Sequence, residues 1–150
     1  MRVHIATDHA GFELKNELVS YLSAKGMEVK DHGYHEYDRF DAYPPVCFAC
    51  AEAVVQDPGS LGIVIGGSGN GEQMSANKVN GVRAALVWNE EIALLAREHN
   101  NANVMSVGAR QHTVEEVKRF VDIFLGTNFD PDSRHRSRVE MLSEYEVKRG

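Results

Sequence analysis

Apolar positions along this chain follow two alternating rhythms. Short runs of strand length occur at Val3–Thr7, Met27–Lys30, Leu61–Ile65, Val82–Val87 and Asn103–Val107. Between them, apolar residues return every three or four positions, the period of a helix with one buried face. From about Gly11 to Ala24, Leu14, Leu18, Tyr21 and Leu22 share such a face. A second helix opens at Tyr43-Pro44-Pro45, where proline is tolerated in the first turn, and runs to about Gln56, closed by Asp57-Pro58-Gly59. A short helix spans Glu72 to Lys78, and Asn89 caps another through Arg97, with Glu90 and Glu91 at its positive end. Thr113-Val114-Glu115-Glu116 reads as a capping box opening a helix to Leu125. After Pro131 a last helix, Asp132 to about Lys148, carries Val139, Leu142 and Tyr145 in a narrow apolar seam.

Strict alternation of strand and helix predicts the α/β class: a Rossmann-like three-layer α/β/α sandwich with a five-stranded parallel sheet. The whole of residues 1–150 reads as one domain. The terminal helix, about 132–148, falls outside the alternation, and an appended helix of this kind packs on a partner subunit. A homodimer is therefore expected. In open parallel sheets, ligands bind beyond the carboxyl ends of the strands. Here those ends carry Asp8-His9, the loop Gly66–Gly71 and Gly108-Ala109-Arg110.

Composition narrows the partners. A net charge of −6 argues against a general nucleic-acid binder. No apolar run approaches the ~20 residues of a membrane span, and no charged, apolar leader precedes the first strand, so a cytoplasmic protein is expected. Cys47 and Cys50 lie in an alanine-rich helical stretch without a second ligand pair, and read as small buried hydrophobes rather than a zinc or redox site. No metal-ligand spacing is visible, and no metal or cofactor is expected.

The loop Gly66-Gly67-Ser68-Gly69-Asn70-Gly71 followed by Glu72 carries the most chemistry. Its sixth position lacks the glycine of a dinucleotide fingerprint, and no Lys-Ser/Thr pair follows Gly71 as in a triphosphate loop. Four glycines exceed the needs of a simple turn and expose successive N–H groups to an anion. Glu72 stands under two opposed influences: the helix dipole lowers its pKa, whereas burial in a closed site raises it toward a working base. His99, at the end of its helix and followed by Asn100 and Asn101, reads either as a dipole-stabilised cap or as a site residue. Asp8-His9 reads as an N-cap or as part of the site. Arg134 and Arg138, four apart on one helical face, form either a solvated charged face or a phosphate grip that Arg110 joins.

Taken together these residues resemble the ribose-5-phosphate isomerase B family, which also contains allose- and galactose-phosphate isomerases. The resemblance runs through Asp8-His9-Ala10-Gly11, Asp41-Ala42-Tyr43-Pro44, Gly67-Ser68-Gly69-Asn70-Gly71, Ser75-Ala76-Asn77-Lys78, Arg83-Ala84-Ala85, His99-Asn100-Asn101-Ala102-Asn103 and Arg134-x-x-x-Arg138. Many members resemble one another in a cysteine base just before the glycine loop. Here that position is Gly66, and the chain is similar to the branch with a glutamate at Glu72. The resemblance implies interconversion of ribose 5-phosphate and ribulose 5-phosphate through a cis-enediolate, with Glu72 as base, Ser68 as relay and His99 opening the sugar ring. Asp8 or Asn100 would position the anomeric hydroxyl. Backbone N–H groups of Gly67, Ser68, Gly69, Asn70 and Gly71 would hold the enediolate, with Tyr43 also against the substrate. His9, Arg110, Arg134 and Arg138 would grip the phosphate. It further implies a site shared across a dimer, with His99 and the terminal-helix arginines from different subunits; further association to a tetramer is left open.

Three rival readings stand beside this one. Within the family, the substrate could be allose 6-phosphate or another hexose 6-phosphate. Outside it, the chain could be a non-catalytic sugar-phosphate-binding module, or a redox protein using Cys47 and Cys50.

Overall fold

The computed structural model describes residues 1–150. Five strands, β1 (Arg2–Thr7), β2 (Glu28–Asp31), β3 (Leu61–Gly66), β4 (Ala84–Leu86) and β5 (Val104–Gly108), form one parallel sheet in the order β2-β1-β3-β5-β4. The helices are α1 (Phe12–Ala24), α2 (Tyr43–Gln56), α3 (Asn70–Ala76), α4 (Glu90–Glu98), α5 (Val114–Gly126) and α6 (Arg136–Arg149). The expected three-layer sandwich forms. Leu14, Leu18 and Leu22 of α1, Ala93 and Ala96 of α4, and Val117, Phe120, Val121 and Phe124 of α5 cover one face of the sheet, against Val3, Ile5, Ile63, Ile65, Met105 and Val107. Val46, Cys47, Cys50, Ala51 and Val54 of α2 cover the other, with Ala76 of α3, against Ala6, Val64 and Val104. No helix is long and apolar enough to cross a membrane.

The chain leaves β1 for β2 on one side, then crosses over through α2 to β3 on the other side of β1. The carboxyl ends of β1 and β3 therefore flank the point where strand order reverses, the crevice in which such sheets bind ligands. Asp8 and the glycine loop stand there.

Several boundaries differ from the sequence pattern, for local reasons. A 3-10 turn, His9–Gly11, precedes α1, because the Asp8 carboxylate accepts the Ala10 N–H and caps that turn first. The fourth strand shrinks from 82–87 to three residues: the amides of Arg83 and Ala84 are taken by the side chains of Asn103 and Asn77. The short helix begins at Asn70 rather than Glu72, entered through Gly69 at φ 86°, a left-handed turn that favours glycine. Glu72 thus lies inside the first turn. The last helix begins at Arg136, not Asp132, so Arg134 sits in the preceding turn and shares no helical face with Arg138. The Thr113–Glu116 capping box forms as expected.

At the opposite end of β1, His4, only 5% exposed, bridges two partners. Its Nε2 lies 2.9 Å from Asp57 Oδ2 and its Nδ1 lies 2.8 Å from His32 Nε2. The carboxylate accepts, so His4 donates from Nε2, while the proton between His4 Nδ1 and His32 Nε2 belongs to one ring or the other according to their tautomers. Burial, then the neighbouring His4, hold the His32 pKa below its usual 6.5, with Asp31 opposing and His35 reinforcing. Above pH 6.5 both folded and unfolded chains carry a neutral ring here, at no cost. As pH falls below that, the unfolded chain takes up a proton the folded one resists, and stability declines until the folded pKa is passed. Wild type is therefore expected to lose its advantage over His32→Asn on acidification below pH 6.5 in denaturant titrations. An advantage that grows on acidification would contradict this.

Candidate active site

Glu72 is 4% exposed, and the reason it fits is Gly66. A Cβ at Gly66 would land inside the Glu72 carboxylate, so glycine at the end of β3 leaves room for it in this position and any side chain there would push it aside. Burial pushes the Glu72 pKa up, with Asp8 adding to the rise and Glu72's own backbone N–H opposing it. Desolvation thus outweighs the stabilising backbone N–H, in the direction that a working base requires. Two buried side-chain polar atoms have no hydrogen-bond partner, Glu72 Oε2 and Asp41 Oδ2, and both belong to this site. Each such atom costs about 1–3 kcal/mol, a cost that folded proteins concentrate where function requires it.

The loop ahead of Glu72 is held by its surroundings. Ser106 Oγ donates to Gly69 O at 2.6 Å, and the amides of Ala109 and Arg110 donate to Gly66 O and Gly67 O. Asn70 donates its N–H to Ser68 Oγ at 3.2 Å, and Gln73 donates to Gly69 O. The N–H groups of Gly67, Ser68, Gly69 and Gly71 have no acceptor within the chain. They form a ready concavity for a developing oxyanion. The Tyr43 ring packs so closely on Gly71 that no Cβ fits there. Arg110 lies over Gly67, its Nη1 3.2 Å from where a Cβ would stand.

Asp8, 7% exposed, is near enough to feel the charge of Asp41 and to act on Glu72. Burial raises its pKa and Asp41 adds to that, while the Ala10 N–H, His9 and Arg110 oppose it. His9 Nδ1 is 2.8 Å from Asp41 Oδ1, which also accepts the His9 backbone N–H at 2.9 Å. Asp8, His9 and Asp41 each bring a potential ligand atom within 4.8 Å of the others, the one grouping that could hold a metal ion. Asp41 carried no assigned role in the sequence, because nothing in a polar loop announces a partner 32 residues upstream.

The remaining expected site residues form a second group. His99 caps α4, followed by Asn101 at φ 45°, a left-handed conformation that asparagine tolerates better than most residues. Arg83 donates to Asn100 O and Asn101 O, and Arg97 to Asn101 Oδ1, pinning this turn. The His99 ring stacks on His135, with centroids 4.0 Å apart. Arg134 and Arg138 lie close enough to lower the His135 pKa, after burial and His99. His99 and the terminal-helix arginines therefore belong together on one chain, contrary to the expectation that separates them. The His99 turn feeds β5 at its amino end, where Val104 pairs with Gly62; the glycine loop begins at the other end, beyond Gly66. At the rise of a strand, about 13 Å separates the two ends.

Cys47 and Cys50 are free and fully buried. Burial pushes the Cys50 thiol up to about 12, and burial with the Glu72 charge raises Cys47 further still. Neither supplies a thiolate, as the sequence reading as small hydrophobes requires.

Comparison with known proteins gives a consistent result. The Ribose/Galactose Isomerase family model matches residues 3–142. The chain is 51% identical over 146 residues to the ribose-5-phosphate isomerase B of Mycolicibacterium paratuberculosis, covering 97% of this chain and 92% of that one. It is 37% identical to the Escherichia coli enzyme of the same name, covering 99% and 98%. Among solved structures, ribose-5-phosphate isomerase B of Mycoplasma genitalium with bound ribulose-5-phosphate superposes with a TM-score of 0.94 at 41% identity, covering 98% of this chain and 97% of that one. The Clostridium thermocellum protein gives 0.95 at 38%, covering all of both chains.

Proposed function

This chain belongs to the ribose/galactose isomerase family, and from that premise we propose that it interconverts ribose 5-phosphate and ribulose 5-phosphate with Glu72 as the base. The observation that carries the choice of base is the buried Glu72 carboxylate, with a pKa raised by burial and an unpartnered oxygen, beside a loop of free N–H groups. A base works best when its pKa approaches the operating pH, and burial moves Glu72 in that direction.

The reaction then runs as follows. His99 donates a proton to the ring oxygen as its bond to C1 breaks; Asp8 or Asn100 holds the anomeric hydroxyl, whose proton passes to the Asp8 carboxylate, and the sugar opens to the aldehyde. Glu72 takes the proton from C2; the C2–H electrons form the C1–C2 double bond, and charge gathers on O1. The free N–H groups of Gly67, Ser68, Gly69 and Gly71 stabilise that cis-enediolate, each worth roughly 3–4 kcal/mol in comparable oxyanion sites. Ser68 passes a proton between O2 and O1, and Glu72 returns its proton to C1. His9, Arg110, Arg134 and Arg138 hold the phosphate, whose binding keeps C1 and C2 beside the carboxylate. This chemistry calls for no cofactor.

The two groups of site residues stand at opposite ends of the sheet, so the complete site is one of a homodimer. His99, Asn100, Arg134 and Arg138 of one protomer approach Glu72, His9 and Arg110 of the other. Exposed apolar side chains support this pairing: Phe48 and Val55 on α2, Met74 on α3, and Leu142 and Tyr145 on α6. They line two hollows of about 670 and 580 Å³ beside α6 and α2. Several large apolar side chains left exposed on neighbouring helices, among polar ones, suit a face that a second protomer covers.

The test is a coupled assay of ribose 5-phosphate against allose 6-phosphate in deuterated water. Turnover of the pentose is expected to be favoured by about tenfold or more in kcat/KM, with solvent deuterium entering the carbon skeleton. Preference for the hexose would make this a hexose-phosphate isomerase. Binding without exchange would make it a sugar-phosphate-binding module.

A further inference from the structure

Asp41 touches no part of the path drawn for the substrate, yet its side chain is only 6% exposed and its geometry is specific. Oδ1 accepts two hydrogen bonds from one residue, the His9 backbone N–H at 2.9 Å and His9 Nδ1 at 2.8 Å. The backbone N–H can only donate, so Oδ1 accepts at least that bond from His9. With Asp41 as a carboxylate, which has no proton to give, Oδ1 accepts from His9 Nδ1 as well. It follows that His9 Nδ1 carries a proton, whether the ring is neutral or charged, and that Nε2 is the nitrogen left for another partner.

The ring is constrained on its remaining sides too. Tyr37 meets it edge-on, with centroids 6.4 Å apart and planes at 88°. Asp8 and Arg110 are the other charged groups near this corner. Asp41 is itself fixed by its setting. It ends the loop from β2, where Tyr34 donates its hydroxyl to Ala42 O at 2.7 Å, and α2 begins at Tyr43. Its Oδ2 stays buried and unpaired, so the carboxyl is held for Oδ1 alone.

We infer that Asp41 is a positioning residue: by gripping both the backbone and Nδ1 of His9, it fixes the ring's orientation and tautomer so that Nε2 faces the substrate phosphate. This rests on the placement of His9 at the phosphate given above. Asparagine at this position keeps an acceptor oxygen facing His9 and sets an amide where Oδ2 stands, whereas alanine removes the grip.

The experiment compares Asp41→Ala, Asp41→Asn, His9→Ala and the double variant His9→Ala/Asp41→Ala, in kinetics with ribose 5-phosphate and in nitrogen-15 spectra of the histidine ring. Asp41→Ala is expected to raise KM about tenfold with kcat within about twofold, the loss of one well-made hydrogen bond. Asp41→Asn is expected to keep KM within about threefold of wild type. The double variant should be no worse than His9→Ala alone, because coupled residues are not additive. At alkaline pH the neutral His9 ring should carry its proton on Nδ1 in wild type and in Asp41→Asn, and on Nε2 in Asp41→Ala. An Nε2-protonated ring in wild type, equal KM for the alanine and asparagine variants, or additive effects in the double variant would each overturn the inference. If instead His9→Ala leaves KM unchanged while the spectra behave as expected, the placement of His9 at the phosphate fails and the Asp41 grip stands.

Discussion

Glu72→Gln is expected to abolish isomerisation while leaving ribose 5-phosphate bound almost as tightly as in wild type. The amide keeps the shape that Gly66 makes room for, but cannot take a proton from C2. General-base catalysis contributes about 10²–10⁴-fold, so kcat should fall by about that factor with KM changed less than about threefold. The same substitution carries a second, opposite effect. Burial raises the folded-state pKa of Glu72 above its ordinary 4.5, so below that pH both states are protonated and nothing is lost. As pH rises from 4.5 through the folded pKa, the ionised form becomes a growing burden on the folded state, and it stays one above. Glutamine removes that burden. The variant should melt higher than wild type at pH 7, with the gap closing as pH falls toward 4.5. Wild-type kcat/KM should lose its activity on the acid side at a pH above 4.5. Near-normal turnover in Glu72→Gln would remove Glu72 from the role of base.

The second large effect concerns the division of the site between protomers. Arg134→Ala/Arg138→Ala is expected to raise KM strongly, because two arginines that hold a phosphate make charge-assisted bonds. Glu72→Gln fails in the chemical step. Each variant alone is therefore poor at low substrate concentration. If the arginines of one protomer serve the glutamate of the other, a mixed dimer has one site with all three changes and one with none. Unfolding and refolding the two variants together at equal amounts gives half mixed dimers in a two-fold assembly, with one intact site in each. About a quarter of wild-type activity should return. No recovery, with mixed dimers demonstrably formed, would place all the residues of each site on one chain. An unchanged KM in the arginine variant would take Arg134 and Arg138 out of the phosphate grip altogether.

Much of this architecture is legible in the sequence because the elements are locally consistent. The capping box at Thr113, the prolines at the head of α2 and the leucine face of α1 each state one answer, and the fold agrees with all three. The glycine loop is legible for the same reason: no ordinary turn needs four glycines ahead of a carboxylate. What could not be read is whatever depends on distance in space. The His9–Asp41 pair joins residues from different connections. The separation of Arg134 from Arg138 turned on where a helix begins, and a charged stretch with few apolar anchors leaves that boundary undetermined. The raised pKa of Glu72 depended on burial, which periodicity indicates for a helix face but not for a helix's first turn. The grouping of His99 with His135 depended on a ring stack across the end of α4, for which no sequence signal exists.

Gly66 and Glu72 also bear on descent. The carboxylate fills the space that any side chain at position 66 would enter. A lineage moving between a cysteine before the loop and a glutamate after it meets resistance in both directions. A thiol added first would push the carboxylate out of this position, and, with Glu72 as the proposed base, a glutamate lost first would leave none. The two positions are expected to turn over together, or through an intermediate that survives with little of this activity. That barrier makes the pair a durable mark of ancestry: chains with glycine at 66 and glutamate at 72 are expected to form a single branch rather than to arise repeatedly.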